Sequence, residues 1–144
     1  MDFEVVVGDW AAMKPDARLV REEVFIDEQK VPLEDEWDDM DDVCLHAVAY
    51  ERSGGLLGTA RLMPDGHIGR MAVRKAGRGC GVGGALLQRM MQEAQARGHA
   101  EVVLSAQIQA EQFYVRHGFV REGQEFLDAG IPHVQMRHVF PLMC

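Results

Sequence analysis

Arg78-Gly79-Cys80-Gly81-Val82-Gly83-Gly84 carries more information than any other segment of this chain. It follows an apolar stretch, Ile68 to Val73, and opens a run in which Val82, Leu86, Met90 and Ala94 recur every fourth residue. Leu87 and Met91 widen that stripe, Gln88, Arg89, Gln92 and Glu93 stand opposite it, and Gly98 supplies a stop. Strand, glycine-rich turn and amphipathic helix are therefore expected in that order. Glycines let backbone N–H groups converge with no side chain in the way, and a helix start adds about half a unit of positive charge. Such a turn suits a phosphate group.

Several readings compete for it, one of them without a ligand. Gly79, Gly81 and Gly84 form a literal GxGxxG. A dinucleotide site, however, needs the strand to run straight into the first glycine and an acid at the end of the next strand. Here residues 74–78 intervene, and the next strand ends in Ser105-Ala106-Gln107. A P-loop would need Gly-Lys-Ser/Thr, which does not follow. A ligand-free loop fits poorly with so many glycines beside Arg74, Lys75 and Arg78.

Working outward, Phe3 to Val7 alternates as a strand, and Ala17, Leu19, Val20, Val24 and Phe25 read as a helix starting after the breaker Pro15. Periodicity is lost from Asp27 to Asp42. Cys44 to Tyr50 and Leu56 to Leu62 flank Ser53-Gly54-Gly55, a hairpin signature, and Pro64-Asp65-Gly66 turns into Ile68 to Val73. Val102 to Leu104 is a short strand, Gln107 to His117 a helix closed by Gly118, and strands resume at Phe119 and end near Phe140. The order β-α-β-β-β-α-β-α-β-β predicts a mixed α/β domain around a single, mostly antiparallel sheet flanked by helices.

The chain of 144 residues, 47% hydrophobic, is sized for one domain, 1–144. No apolar run is long enough for a membrane span, and Asp2 and Glu4 stand where a signal peptide would carry bases. The net charge of −8 disfavours nucleic acid as a partner. Cys44, Cys80 and Cys144 form no CxxC, so neither disulfides nor zinc are expected and a cytoplasmic setting is. Between Glu22 and Asp42 stand eleven acids against one base, Lys30, and without that segment the chain is nearly neutral. The segment reads either as a solvated loop or as a lure for a cationic molecule. It has no calcium-loop spacing, and no HxxxH accompanies it, so no metal is expected.

Read as Arg78-x-x-Gly81-x-Gly83, the turn resembles the acyl-CoA diphosphate loop of the GNAT superfamily of N-acetyltransferases. Phe113-Tyr114-Val115-Arg116-His117-Gly118-Phe119 stands where that family carries an aromatic pair before Gly-Phe. Val24-Phe25, Glu28-Gln29, Val31-Pro32 and Ala129-Gly130-Ile131 with His133 are similar to its small bacterial ElaA/YjcF-like branch. One departure is Gln107 where many relatives have Asn three residues before the alanine, here Ala110.

The resemblance implies a splayed GNAT fold and transfer of an acetyl group from acetyl-CoA to an amine by direct attack in a ternary complex. Arg78, Gly79, Cys80, Gly81, Val82, Gly83 and Gly84 would meet the diphosphate; Met71, Ala72 and Val73 would pair with the pantetheine arm, near Gln107. Tyr114 is the expected acid for the departing thiolate, against a purely packing role beside Phe113. One of Glu34, Glu36, Asp38 and Asp41, with Glu36 foremost, or else His46 or His133, is the candidate for the base. The acceptor is expected to be a small molecule or a peptide, cationic if the acids line the entrance. Exposed strands near the C-terminus suggest a homodimer. The non-enzymatic alternatives are an acyl-CoA sensor and an acidic partner-binding module.

Overall fold

The computed structural model describes residues 2–36 and 38–141, so Cys144 lies outside the described residues. The strands are β1 (Phe3–Gly8), β2 (Leu45–Glu51), β3 (Leu56–Leu62), β4 (Ile68–Val73), β5 (Glu101–Gln107), β6 (Val120–Asp128) and β7 (Ile131–Val139). The helices are α1 (Trp10–Arg21), α2 (Leu33–Glu36), α3 (Val82–Ala96) and α4 (Glu111–Arg116).

Two helix boundaries depart from expectation. α1 begins at Trp10, ahead of Pro15, because Asp9 caps it: Asp9 Oδ1 accepts from Ala12 N–H at 2.9 Å. Pro15 lies inside the helix and forfeits one backbone bond, yet Trp10, Ala17 and Val20 bury against the sheet and hold the helix together. α1 then passes into a π-helical turn, Glu22–Glu28, in which Gln29 N–H reaches Val24 O at 3.1 Å. The second departure is at Gln107, which ends β5; residues 108–110 form a 3₁₀ turn and only Glu111–Arg116 is α-helical.

The expected single sheet divides in two. β1-β2-β3-β4 form one antiparallel sheet and β5-β7-β6 another. Outside the named strands, a parallel bridge, His67 to Val103, joins β4's approach to β5. Beyond it the two strands diverge, and among the described residues the β4 edge facing β5 has no strand partner. That divergence is the splay. Opposite it, the β3–β4 register shifts between Thr59 and Arg61, and Arg70 takes a positive φ of 46° in mid-strand.

α3 lies across both sheets. Its Leu86, Leu87, Met90 and Ala94 are fully buried against Ala47, Leu57 and Ala60 on one side and Val102, Leu104 and Met136 on the other. Each buried leucine or methionine contributes about 1.5–3 kcal/mol. This shared core clamps the diverging strands while leaving their mouth open.

Candidate active site

The mouth is a cleft of about 770 Å³ between β4 and β5, roofed by the π-helical turn and α4 and walled at one end by the β6–β7 turn. Met71, Ala72 and Val73 line one wall and Leu104 and Ser105 the other.

At the β4 end the chain enters the glycine turn. Gly79 and Gly81 adopt φ of +77° and +84°, and a Cβ on either would meet nothing within 4 Å. The glycines therefore serve the backbone path, with open space above them for a ligand. Gly81 is the N-cap of α3 and offers no side-chain cap, so the first-turn amides of Val82, Gly83 and Gly84 remain as donors. Such a hollow suits an anionic group. The charges beside it are less available than the sequence suggests. Arg74 Nε donates to Glu23 at 2.7 Å, and Arg78 Nη2 donates to both carboxylate oxygens of Glu28 at 3.0 and 2.9 Å. Arg78 Nε also reaches back to Val73 O at 2.9 Å. Cys80 is exposed, its Sγ 3.7 Å from Arg78 O.

Tyr114 lines the middle of the cleft, edge-on to Phe113 and Phe119. Burial pushes its pKa up to about 12, so the phenol stays protonated through the neutral range. Gln107 donates from Nε2 to Gln29 Oε1 at 2.9 Å and accepts from Gln109 Nε2 at 2.5 Å.

The candidate bases separate. His133, on β7 and 8% exposed, lines the cleft and stacks on Phe126. Its Nδ1 donates to Ile131 O at 2.7 Å, which leaves Nε2 as the lone-pair nitrogen. Glu36, 3% exposed, also lines the cleft, but Arg21 Nε grips it at 2.5 Å. Burial raises its pKa, with Arg21 pulling the other way. His46 is not brought to the cleft. It is 1% exposed beneath Trp10, its ring 4.6 Å from the indole and its Nε2 2.9 Å from Asp41 O. Burial lowers its pKa, as expected of an enclosed imidazole.

Part of the acidic segment turns inward onto arginines. Arg21 Nη1 and Arg61 Nη1 donate to Asp41 Oδ1 at 2.8 and 2.9 Å, Arg61 Nη2 to Asp38 Oδ2 at 2.7 Å, and Arg70 Nη2 to the same oxygen at 3.3 Å. Burial would raise the Asp41 pKa, but the two arginines overcome it and hold the group ionised. The Arg61 hydrogen bond draws the Asp38 pKa far down. Glu36, Asp38 and Asp41 are thus neutralised by Arg21, Arg61 and Arg70, while Asp27, Glu34, Asp39 and Asp42 stay exposed. Sequence reading missed Arg61 and Arg70, although each interrupts an apolar strand, Leu56–Leu62 and Ile68–Val73, where a base has no reason to sit without partners. It also missed Glu28 and Gln29 as cleft residues.

A strand, glycine turn and helix opening onto a splayed sheet with an aromatic helix above it define an acyl-CoA acyltransferase fold. Residues 13–140 match the family model for the acetyltransferase (GNAT) domain, and the chain belongs to that family. It is 42% identical over 124 residues to the uncharacterized N-acetyltransferase YjcF of Bacillus subtilis, covering 84% of this chain and 89% of that one. Among solved structures it is similar to an acyl-CoA N-acyltransferase from Pseudomonas aeruginosa, with 32% identity, a TM-score of 0.84, and 96% and 100% of the two chains covered. Escherichia coli ElaA gives 25% identity, a TM-score of 0.82, and 95% and 99% coverage. The family and its fold, as read from the glycine turn, are thereby established.

Proposed function

We propose that this protein moves an acetyl group from acetyl-CoA to a primary amine of a small molecule or peptide, by direct attack in a ternary complex. One observation carries the reading: the edge of β4, without a strand partner among the described residues, leads through residues 74–78 to the open hollow over Gly79 and Gly81, with Tyr114 and His133 on the same cleft. Bound acetyl-CoA would supply the acyl group as an activated thioester.

The amides from Arg78 to Gly84 hold the diphosphate. The Met71 to Val73 edge pairs with the pantetheine amides, as any exposed strand edge pairs with a peptide. An edge N–H aimed at the acyl oxygen stabilises the charge that develops there, worth about 3 kcal/mol per donor in comparable sites. His133 Nε2 takes the proton that the attacking nitrogen must lose, and Tyr114 O–H gives one to the departing sulfur. A homodimer would use the exposed edge of β6, where Val120 and Leu127 face solvent.

Thiol release from acetyl-CoA in the presence of a panel of amines tests the reading. Acceptor-dependent release supports it; tight binding with no release would leave an acyl-CoA sensor instead.

A further inference from the structure

Where β4 and β5 end, the cleft is crossed by a chain of hydrogen bonds. Arg74 N–H donates to Leu57 O of β3 at 2.8 Å. A trans peptide points its two polar groups in opposite directions, so Val73 O faces away from β3, onto the edge that looks toward β5. Lys75–Gly77 then form a 3₁₀ turn that doubles back on β4 so tightly that a Cβ at Gly77 would stand 3.3 Å from Val73 Cγ1 and from Leu57 O. The turn returns Arg78 to the strand it has just left. Its Nε donates to Val73 O at 2.9 Å, and its Nη2 donates to both carboxylate oxygens of Glu28. Gln29, next to Glu28, accepts from Gln107 at the end of β5. All four side chains line the cleft and together strap one wall to the other.

The strap lies where the proposed cosubstrate has to enter. Val73 belongs to the edge proposed to pair with the pantetheine amides, and here the Arg78 guanidinium occupies its carbonyl. The hold on Arg78 is weak: the side chains of Arg78 and Glu28 are 44% and 24% exposed, and ion pairs so open to water contribute little. A diphosphate in the hollow over Gly79 and Gly81, the next residues along the chain, offers the same guanidinium a more highly charged acceptor of matching geometry. Exchanging one anion for the other keeps Arg78 paired throughout and uncovers Val73 O.

We infer that Glu28 is a specificity-determining residue for the acyl donor: it holds Arg78 across the β4 edge, so that a thioester gains the edge only by bringing a diphosphate that takes the guanidinium over. A thioester built on pantetheine alone has nothing to offer in place of Glu28 and meets a covered seat. The inference rests on the acetyl-transfer reading and adds to it how the cleft selects among thioesters.

Calorimetric titration of acetyl-CoA into the native protein, Glu28→Gln, Arg78→Gln and the double variant tests it. Glu28→Gln should tighten binding about threefold, and Arg78→Gln should weaken it about tenfold. In the Arg78→Gln background, adding Glu28→Gln should change the affinity by less than about 1.5-fold, because the carboxylate then has no guanidinium to hold. S-acetylpantetheine, measured by its competition with acetyl-CoA, should respond in the opposite sense: Arg78→Gln uncovers Val73 O and should bind it about threefold more tightly than the native protein does. An unchanged or weaker affinity for acetyl-CoA in Glu28→Gln overturns the inference. So does a gain of the same size without Arg78, which marks plain repulsion between Glu28 and the ligand, and so does S-acetylpantetheine bound no better by Arg78→Gln. Thiol release with a panel of amines, followed in the same four proteins, keeps the two claims apart. The expected affinities without release sink acetyl transfer and keep the strap; release with equal affinities in Glu28→Gln and the native protein sinks the strap alone.

Discussion

Gln29 Oε1 and Gln107 Nε2, 78 positions apart, meet at 2.9 Å, while both carboxylate oxygens of the neighbouring Glu28 accept from Arg78 Nη2. Two consecutive residues thus reach the two diverging walls of the cleft, one to the turn after β4 and one to the end of β5. The π-helical turn explains how: one extra residue in the helical circuit advances Glu28 and Gln29 past the register of α1 and turns them inward.

Replacing Tyr114 with Phe should lower kcat about a hundredfold or more and leave acetyl-CoA affinity nearly intact. The unfolded chain loses a phenolic proton near pH 10, whereas Tyr114, through burial, and Tyr50, through burial and its hydrogen bond to Asp16, hold theirs to about 12. Rising pH therefore favours the unfolded state in that window. Urea midpoints should drop between pH 10 and 12, and less steeply in Tyr114→Phe.

The pH dependence of kcat/KM distinguishes the two cleft bases. His133→Gln should remove the acidic limb and cut the rate about a hundredfold; Glu36→Gln should lower the rate while the limb survives. A limb lost only in Glu36→Gln would reverse the assignment.

Arg21 holds Glu36 and Asp41 at 2.5 and 2.8 Å with 1% of its side chain exposed. Arg21→Met leaves both carboxylates buried without that partner and should cost about 3–5 kcal/mol in denaturant unfolding. Adding Glu36→Leu should restore part of the loss, because the uncompensated charge goes with it.

At Gly79 the space is open but φ is +77°. Gly79→Ala should cost about 1–2 kcal/mol of stability through backbone strain alone. Acetyl-CoA binding should weaken in parallel, since the turn relieves that strain by rotating its amides. Titration calorimetry and a thermal melt of the same variant check both.

The glycine turn, the strand before it and the stripe of α3 were legible because each rests on local chemistry: backbone freedom at Gly79 and Gly81, and a four-residue apolar repeat from Val82. Residues 27–42 were not, because their order comes from partners far along the chain. Arg61 and Arg70 meet Asp38 across 23 and 32 positions. A run of acids looks the same in sequence whether water or arginine neutralises it. His46 and His133 failed to separate for a related reason: each begins or lies on a strand, and only the sheet's layout shows that one sits beneath Trp10 and the other on the cleft. Pro15 misled because tertiary burial outweighed one missing backbone bond.

The bridge from His67 to Val103 makes the gap between β4 and β5 a seam that protein alone leaves unstitched. Any extended amide-bearing molecule lying in it becomes a surrogate eighth strand, turning two short sheets into one continuous fabric. On the proposed reading, the cosubstrate would be a building material as well as a reagent. Loading should slow amide exchange in Met71 to Val73 and Leu104 to Ala106 together, on both sides of the suture.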